Sequence, residues 1–92
     1  MEISKKELEE RVKAGALILD VRSPGEFSGG AYPAAINIPV DSISSRLSEL
    51  EPKDRPIITY CGSGMRARRA AELLTSSGWT SVCCGGSLRN MP

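Results

Sequence analysis

The stretch Ile58–Leu74, ITYCGSGMRARRAAELL, joins a β-branched run to an arginine-rich run of helical spacing, with Cys61 at the junction. Cys61 reads either as a small buried residue ending a strand or as a reactive thiolate at the start of a helix. The residues on either side bear on the choice.

Ninety-two residues suffice for one domain, 1–92, and are too few for two cores. A net charge of +1 offers no field for nucleic acid or an anionic membrane surface. No apolar run approaches the roughly 20 residues of a membrane span. The opening MEISKKELEERV is charged and amphipathic, unlike a signal peptide, so a cytoplasmic location is expected, although a removed leader would leave no trace. Three cysteines do not suggest a disulfide framework. With no histidine in the chain, a Cys–His pair and a Ser–His–Asp triad are both excluded. Only three thiols exist and two are adjacent, so no zinc site is expected, nor any other metal.

Ser4 and Glu7 form a capping-box pattern, with Ile3 and Leu8 placed as a hydrophobic staple. The spacing predicts a helix to about Ala14, stopped by Gly15. ALILDV, from Ala16, is apolar without alternation, as in a strand covered on both faces. Ser23, Pro24 and Glu26 repeat the cap signature and start a helical turn after Arg22, which Gly29 and Gly30 break. AINIP is a second strand; Asp41 then caps a predicted helix with Ile43, Leu47 and Leu50 on one face. IITY is the third strand, a helix follows over about 66–76, and TSVCC is the last strand. Strands alternating with helices through short loops predict an α/β/α sandwich on a mostly parallel sheet.

In such sheets ligands bind beyond the carboxyl ends of strands, where Cys61 is predicted as the first residue after IITY. The glycines of the following Gly62, Ser63, Gly64 and Met65 let successive amides turn inward as an anion nest. The helix N-terminus and Arg66 add positive charge, and all three features favour a thiolate. Phosphatases that work through a phosphocysteine use a loop one residue longer; here four residues separate Cys61 from Arg66, and Ala67 holds the phosphatase spacing. A tighter ring of amides suits a smaller reacting atom, such as sulfur attacked by sulfur.

Three blocks carry a family resemblance: LILDVRSPGEFSGG with AAINIPV, ITYCGSGMRARRAAELLTSSGW, and VCCGGSL, together spanning about Leu17 to Leu88. In their order and spacing the chain resembles the single-domain rhodaneses, with the family's cysteine-x-x-glycine-x-arginine loop as the most specific block. The resemblance implies a three-layer α/β/α fold on a parallel five-stranded sheet. It also implies a sulfurtransferase: Cys61 attacks the outer sulfur of thiosulfate or a related donor, releasing sulfite. The Cys61 persulfide is cradled by the amides of Gly62, Ser63, Gly64, Met65 and Arg66. Its sulfur then passes to cyanide or to a thiol, with a thioredoxin-like protein among the expected partners. No cofactor is implied. A low-turnover sulfur-carrier or protein-binding module is the alternative, though the intact cysteine and arginine favour the enzyme.

Two departures stand out. GAYPAA occupies the place of the family's Gly-His-Ile-Pro-Gly-Ala block, so Ala31 replaces the histidine and Ala34 the second glycine. The chain ends soon after Gly86 without the terminal helix and tryptophan common in the family, which is expected to affect stability or one wall of the pocket. Among accessory candidates, Arg22 reads as the ion-pair partner of Asp20 or of Glu26. Arg66 reads as a substrate contact or a loop tie, and Ser63 as an oxyanion donor or a turn former. Trp79 reads as packing, and Arg68 and Arg69 as solvent-facing. Cys84 resolves the Cys61 persulfide or bonds to Cys61; otherwise Cys83 and Cys84 are small residues of a buried strand end.

Overall fold

Four apolar runs flanked by turn residues become four parallel strands in the computed structural model, which describes residues 3–92. They are β1 (Leu17–Asp20), β2 (Ile36–Asn37), β3 (Ile57–Cys61) and β4 (Val82–Ser87), in the order β2-β1-β3-β4. The central pair runs from Leu17 opposite Ile57 to Asp20 opposite Tyr60. The fifth strand implied by family resemblance is absent among the described residues, whose sheet has four strands. No helix among them is long and apolar enough to cross a membrane.

Helix α1 (Lys5–Lys13) starts where Ser4 accepts from the Glu7 amide, and Gly15 follows it at φ +92°, a left-handed conformation suited to glycine. Helix α2 (Pro24–Ser28) has a complete capping box between Ser23 and Glu26. Helix α3 (Met65–Ser76) is the longest and begins one residue earlier than its sequence pattern predicts.

Strand alternation divides the core in two. Ile18, Ile58, Tyr60 and Cys83 face α1 and pack with Leu8 and Met91. Leu19, Ile57, Cys61 and Cys84 face α3 and pack with Ala67, Ala70, Ala71 and Leu74. The small alanines let α3 approach the sheet closely. Trp79 closes this core and donates its indole N–H to the Leu50 carbonyl at 3.1 Å, so packing is its role here.

The helix predicted after Asp41 is instead two 3-10 turns, Val40–Ser45 and Leu47–Leu50. Asp41 makes no side-chain cap; Pro39 occupies the cap position, and the Ser45 hydroxyl bonds the Ser42 carbonyl at 3.0 Å. Serines that bond nearby backbone compete with the α-helical ladder. Ile43 and Leu50 are nevertheless buried, each supplied to the α3-side core by its own turn.

On the α1 face, Asp20 at the end of β1 and Arg22 two residues beyond it form a buried ion pair at 2.7 Å. Tyr60 donates to Asp20 at 2.6 Å and accepts from the Tyr32 amide at 3.0 Å, while Arg22 also donates to the Gly30 carbonyl. This cluster pins the loop between α2 and β2. Within that loop the Ala35 amide bonds the Tyr32 carbonyl at 3.1 Å, with Pro33 second in the turn and Ala34 third at φ +68°. A type II turn asks for glycine at that third position, because a Cβ there is strained.

Two predictions follow from this loop and its anchor. Ala34→Gly should stabilise the protein by about 0.5–1 kcal/mol, read as a higher Tm, since relief of strain outweighs the added freedom of the unfolded chain. For Asp20, burial pushes the carboxyl up, but hydrogen bonds from Arg22 and Tyr60 outweigh it and hold the group below its ordinary 3.8. Its contribution is therefore complete above 3.8 and is lost as pH falls through the lower folded value. Asp20→Asn should cost about 3 kcal/mol at neutral pH by leaving Arg22 buried and unpaired. In urea titrations across pH, the gap between variant and parent should stay constant above 3.8 and narrow as pH falls from there through the folded value.

Candidate active site

Cys61 is the last residue of β3 rather than the first residue beyond it, and it is fully buried. The chain turns over 62–64 and enters α3 through Gly64 at φ +99°. A Cβ at Gly64 would point at the Gly86 backbone, 3.6 Å away, so the turn sits closely against the end of β4. Gly64 has no side chain with which to cap α3. The Cys61 sulfur takes that role, accepting from the Gly64 amide at 2.9 Å and from the Ala67 amide at 3.3 Å.

Ala67 is the third residue of α3, the position whose amide an N-cap side chain ordinarily satisfies. Sulfur at that point meets two N–H dipoles and the positive end of the helix. The amide cradle from Gly62 through Arg66 is expected around a persulfide; around the Cys61 sulfur itself the donors are Gly64 and Ala67. Ala67 escaped the sequence reading because its side chain is inert. Its signal is positional, as the third residue of a helix whose cap carries no acceptor.

The other loop residues have separate surroundings. Ser63 lines a cleft of about 390 Å³ together with Ile3, Cys84, Gly85, Gly86, Ser87 and Asn90. That volume suits a small molecule. Met65 is 79% exposed at the rim of the loop. Gly62 lies under the Arg66 side chain, which a Cβ there would meet at 3.4 Å.

Arg66 forms a two-pronged ion pair with Glu26, Nη1 to Oε1 at 2.8 Å and Nη2 to Oε2 at 3.2 Å. Glu26 therefore pairs with Arg66, not with Arg22 as the sequence allowed. Arg22 is committed to Asp20 on the opposite face of the sheet from Cys61. The Glu26 carboxyl is pulled down to about 2, first by the Arg66 hydrogen bonds and then by the Ser23 amide. The Arg66 guanidinium is correspondingly held above its usual range, by Glu26 foremost and to a lesser degree by the neighbouring Cys61.

All three cysteines are free. Cys83 faces α1, where burial pushes its thiol up against a smaller opposing effect of Arg11. Cys84 shares the α3 face with Cys61 but stands opposite Thr59. Two residues of rise and one strand spacing put the Cys61 and Cys84 Cα atoms about 8 Å apart. That exceeds the span a disulfide bridges without backbone movement. No cluster of three or more metal-ligating side chains occurs among the described residues.

Comparison with known proteins follows the same lines. The family model described as a rhodanese-like domain matches residues 4–85. A protein of Allochromatium vinosum named Sulfurtransferase is 39% identical over 66 residues, covering 72% of this chain and 61% of that one. The chain thus spans about three fifths of that relative's length. Thiosulfate sulfurtransferase PspE of Escherichia coli is 31% identical over 74 residues, covering 79% of this chain and 71% of PspE. Among solved structures, the human single-domain sulfurtransferase TSTD1 superposes with a TM-score of 0.84 at 28% identity, over 97% of this chain and 92% of its own. A parallel sheet whose third strand ends on a cysteine capping the next helix, matched over most of its length by this family, makes the chain a member of the rhodanese-like domain family.

Proposed function

We propose that the protein is a sulfurtransferase that carries a sulfane sulfur on Cys61. The observation that carries this reading is the Cys61 sulfur held by the Gly64 and Ala67 amides at the start of α3. Such a site stabilises a sulfur anion without any histidine, which the chain lacks. Names of relatives support it: one is a sulfurtransferase and another a thiosulfate sulfurtransferase.

In the first step the Cys61 thiolate attacks the outer sulfur of thiosulfate, forming a Cys61 S–S bond as the donor's S–S bond breaks. Sulfite leaves with the bonding pair. Arg66, the cation of the loop, neutralises the donor's oxyanion, as a guanidinium fork suits. In the second step an acceptor, cyanide or a thiolate, attacks the outer sulfur of the persulfide and returns Cys61 as thiolate. Exposed Met65 gives a protein acceptor, including a thioredoxin-like one, an apolar contact beside the loop. Three free cysteines suit a reducing compartment, and we place the protein in the cytoplasm. Cys84 serves this scheme as a packing residue.

Incubation with thiosulfate should add one sulfur to the intact mass, and cyanide should remove it as thiocyanate. Cys61→Ser should abolish both, and Cys84→Ser should retain both. A wild-type protein that gains no sulfur, or a Cys61→Ser variant that matches it, rejects the proposal. If the protein is loaded stoichiometrically but turns over negligibly with every acceptor, the carrier reading replaces the enzyme. Arg66→Ala should lower kcat/KM for thiosulfate at least about tenfold, equivalent to roughly 1.4 kcal/mol of lost binding to the transition state.

A further inference from the structure

Arg66 is the cation that the sulfurtransferase reading assigns to the donor, yet each of its terminal nitrogens already gives one of its N–H groups to a carboxylate. Nη1 and Nη2 each bond a separate oxygen of Glu26, so the guanidinium presents to a carboxylate the end-on fork that a sulfonate could also use. This bridge lies against the cysteine loop itself: a Cβ built on Gly62 would stand 3.4 Å from Arg66 Nη2 and 3.8 Å from Glu26 Oε2. Beneath it Cys61 has no exposed surface.

Glu26 is also not free to swing away. Its Oε1 accepts from the Ser23 amide and the Ser23 hydroxyl, each at 3.1 Å, as the third residue of α2 in a capping box. The carboxylate is thus tethered at the mouth of the site by the helix start that holds it. A donor reaching Arg66 must compete with an anion fixed in place, and once there it still faces that negative charge. The opposition grows with each charge the donor carries.

We propose that Glu26 is a specificity-determining residue, which competes within the molecule for Arg66 and so favours singly charged sulfane donors, such as organic thiosulfonates and small-molecule persulfides, over dianionic thiosulfate. This rests on the sulfurtransferase reading above. Either donor reacts with the same balance. The Cys61 thiolate forms an S–S bond to the sulfane sulfur and the donor's own S–S bond breaks. Sulfite then departs from thiosulfate, or a sulfinate from a thiosulfonate, taking the bonding pair.

The test compares thiosulfate with methanethiosulfonate, donors that differ by one charge, on wild-type protein and on Glu26→Gln. Glutamine preserves the capping acceptor at this position while removing the charge. The ratio of kcat/KM for thiosulfate to that for methanethiosulfonate should rise about three- to tenfold in Glu26→Gln at low ionic strength. The gain should shrink as salt is added. A merely structural role for Glu26 would lower both values together and leave the ratio unchanged. A ratio that stays constant or falls, with both donors active, overturns the inference. If neither donor adds sulfur to either protein in intact-mass measurement, the sulfurtransferase reading itself fails and the inference falls with it; that outcome is distinct from active proteins with an unaltered ratio.

Discussion

The contact on which the site depends is the pair of hydrogen bonds from the Gly64 and Ala67 amides to the Cys61 sulfur. A helix start leaves amides that need acceptors, and Gly64 at the cap position has no side chain to supply one. Sulfur fills the gap, so the group that would react is also the group that completes the helix. Thr59 reinforces the junction one step back along the same strand face, its hydroxyl bonding the Ala67 carbonyl at 2.8 Å. Strand, turn and helix are thereby fixed around one atom. Any change that moves α3 relative to β3 moves the electrostatic environment of Cys61 with it.

Charges on the two faces of the sheet are kept to different tasks. Asp20, Arg22 and Tyr60 form a buried, fully hydrogen-bonded cluster on the α1 face, where they hold the loop leading to β2. Glu26 and Arg66 form a partly exposed pair against the cysteine loop. The adjacent cysteines follow the same division, Cys83 facing α1 and Cys84 facing α3, because neighbouring strand residues point to opposite sides. A thiol one residue away in sequence can thus lie in a wholly different environment.

Local chemistry was readable in the sequence wherever its partners are close along the chain. Ser23 and Glu26 announce their capping box, and four apolar runs mark four strands, because such signals involve residues three or four apart. The loop after Cys61 was readable for the same reason. Pairings set by tertiary folding were less so. Glu26 and Arg66 meet across 40 residues, whereas the partner the sequence offered for Glu26 was nearby Arg22, which the sheet turns toward Asp20. The Asp41 segment has helical spacing in Ile43, Leu47 and Leu50, but its serines favour local turns, and spacing alone does not distinguish the two. The fifth strand came from family resemblance and had no apolar run behind it. Ala67 shows a further limit, for a backbone amide leaves no mark on residue identity.

The order of the strands has a consequence for how the site comes into being. β1 and β3 are neighbours in space, but β2 and both 3-10 turns lie between them in the chain. Their pairing closes a long loop before any contact rewards it, which makes parallel sheets of this kind intrinsically slow to assemble. The hydrogen bonds to Cys61 are local to β3 and α3, whereas its burial also draws on the β4 residues packed on the same face. A probe that senses how shielded this sulfur is therefore reports the docking of α3 and β4 on β3, and the cysteine doubles as an internal gauge of that half of the sheet.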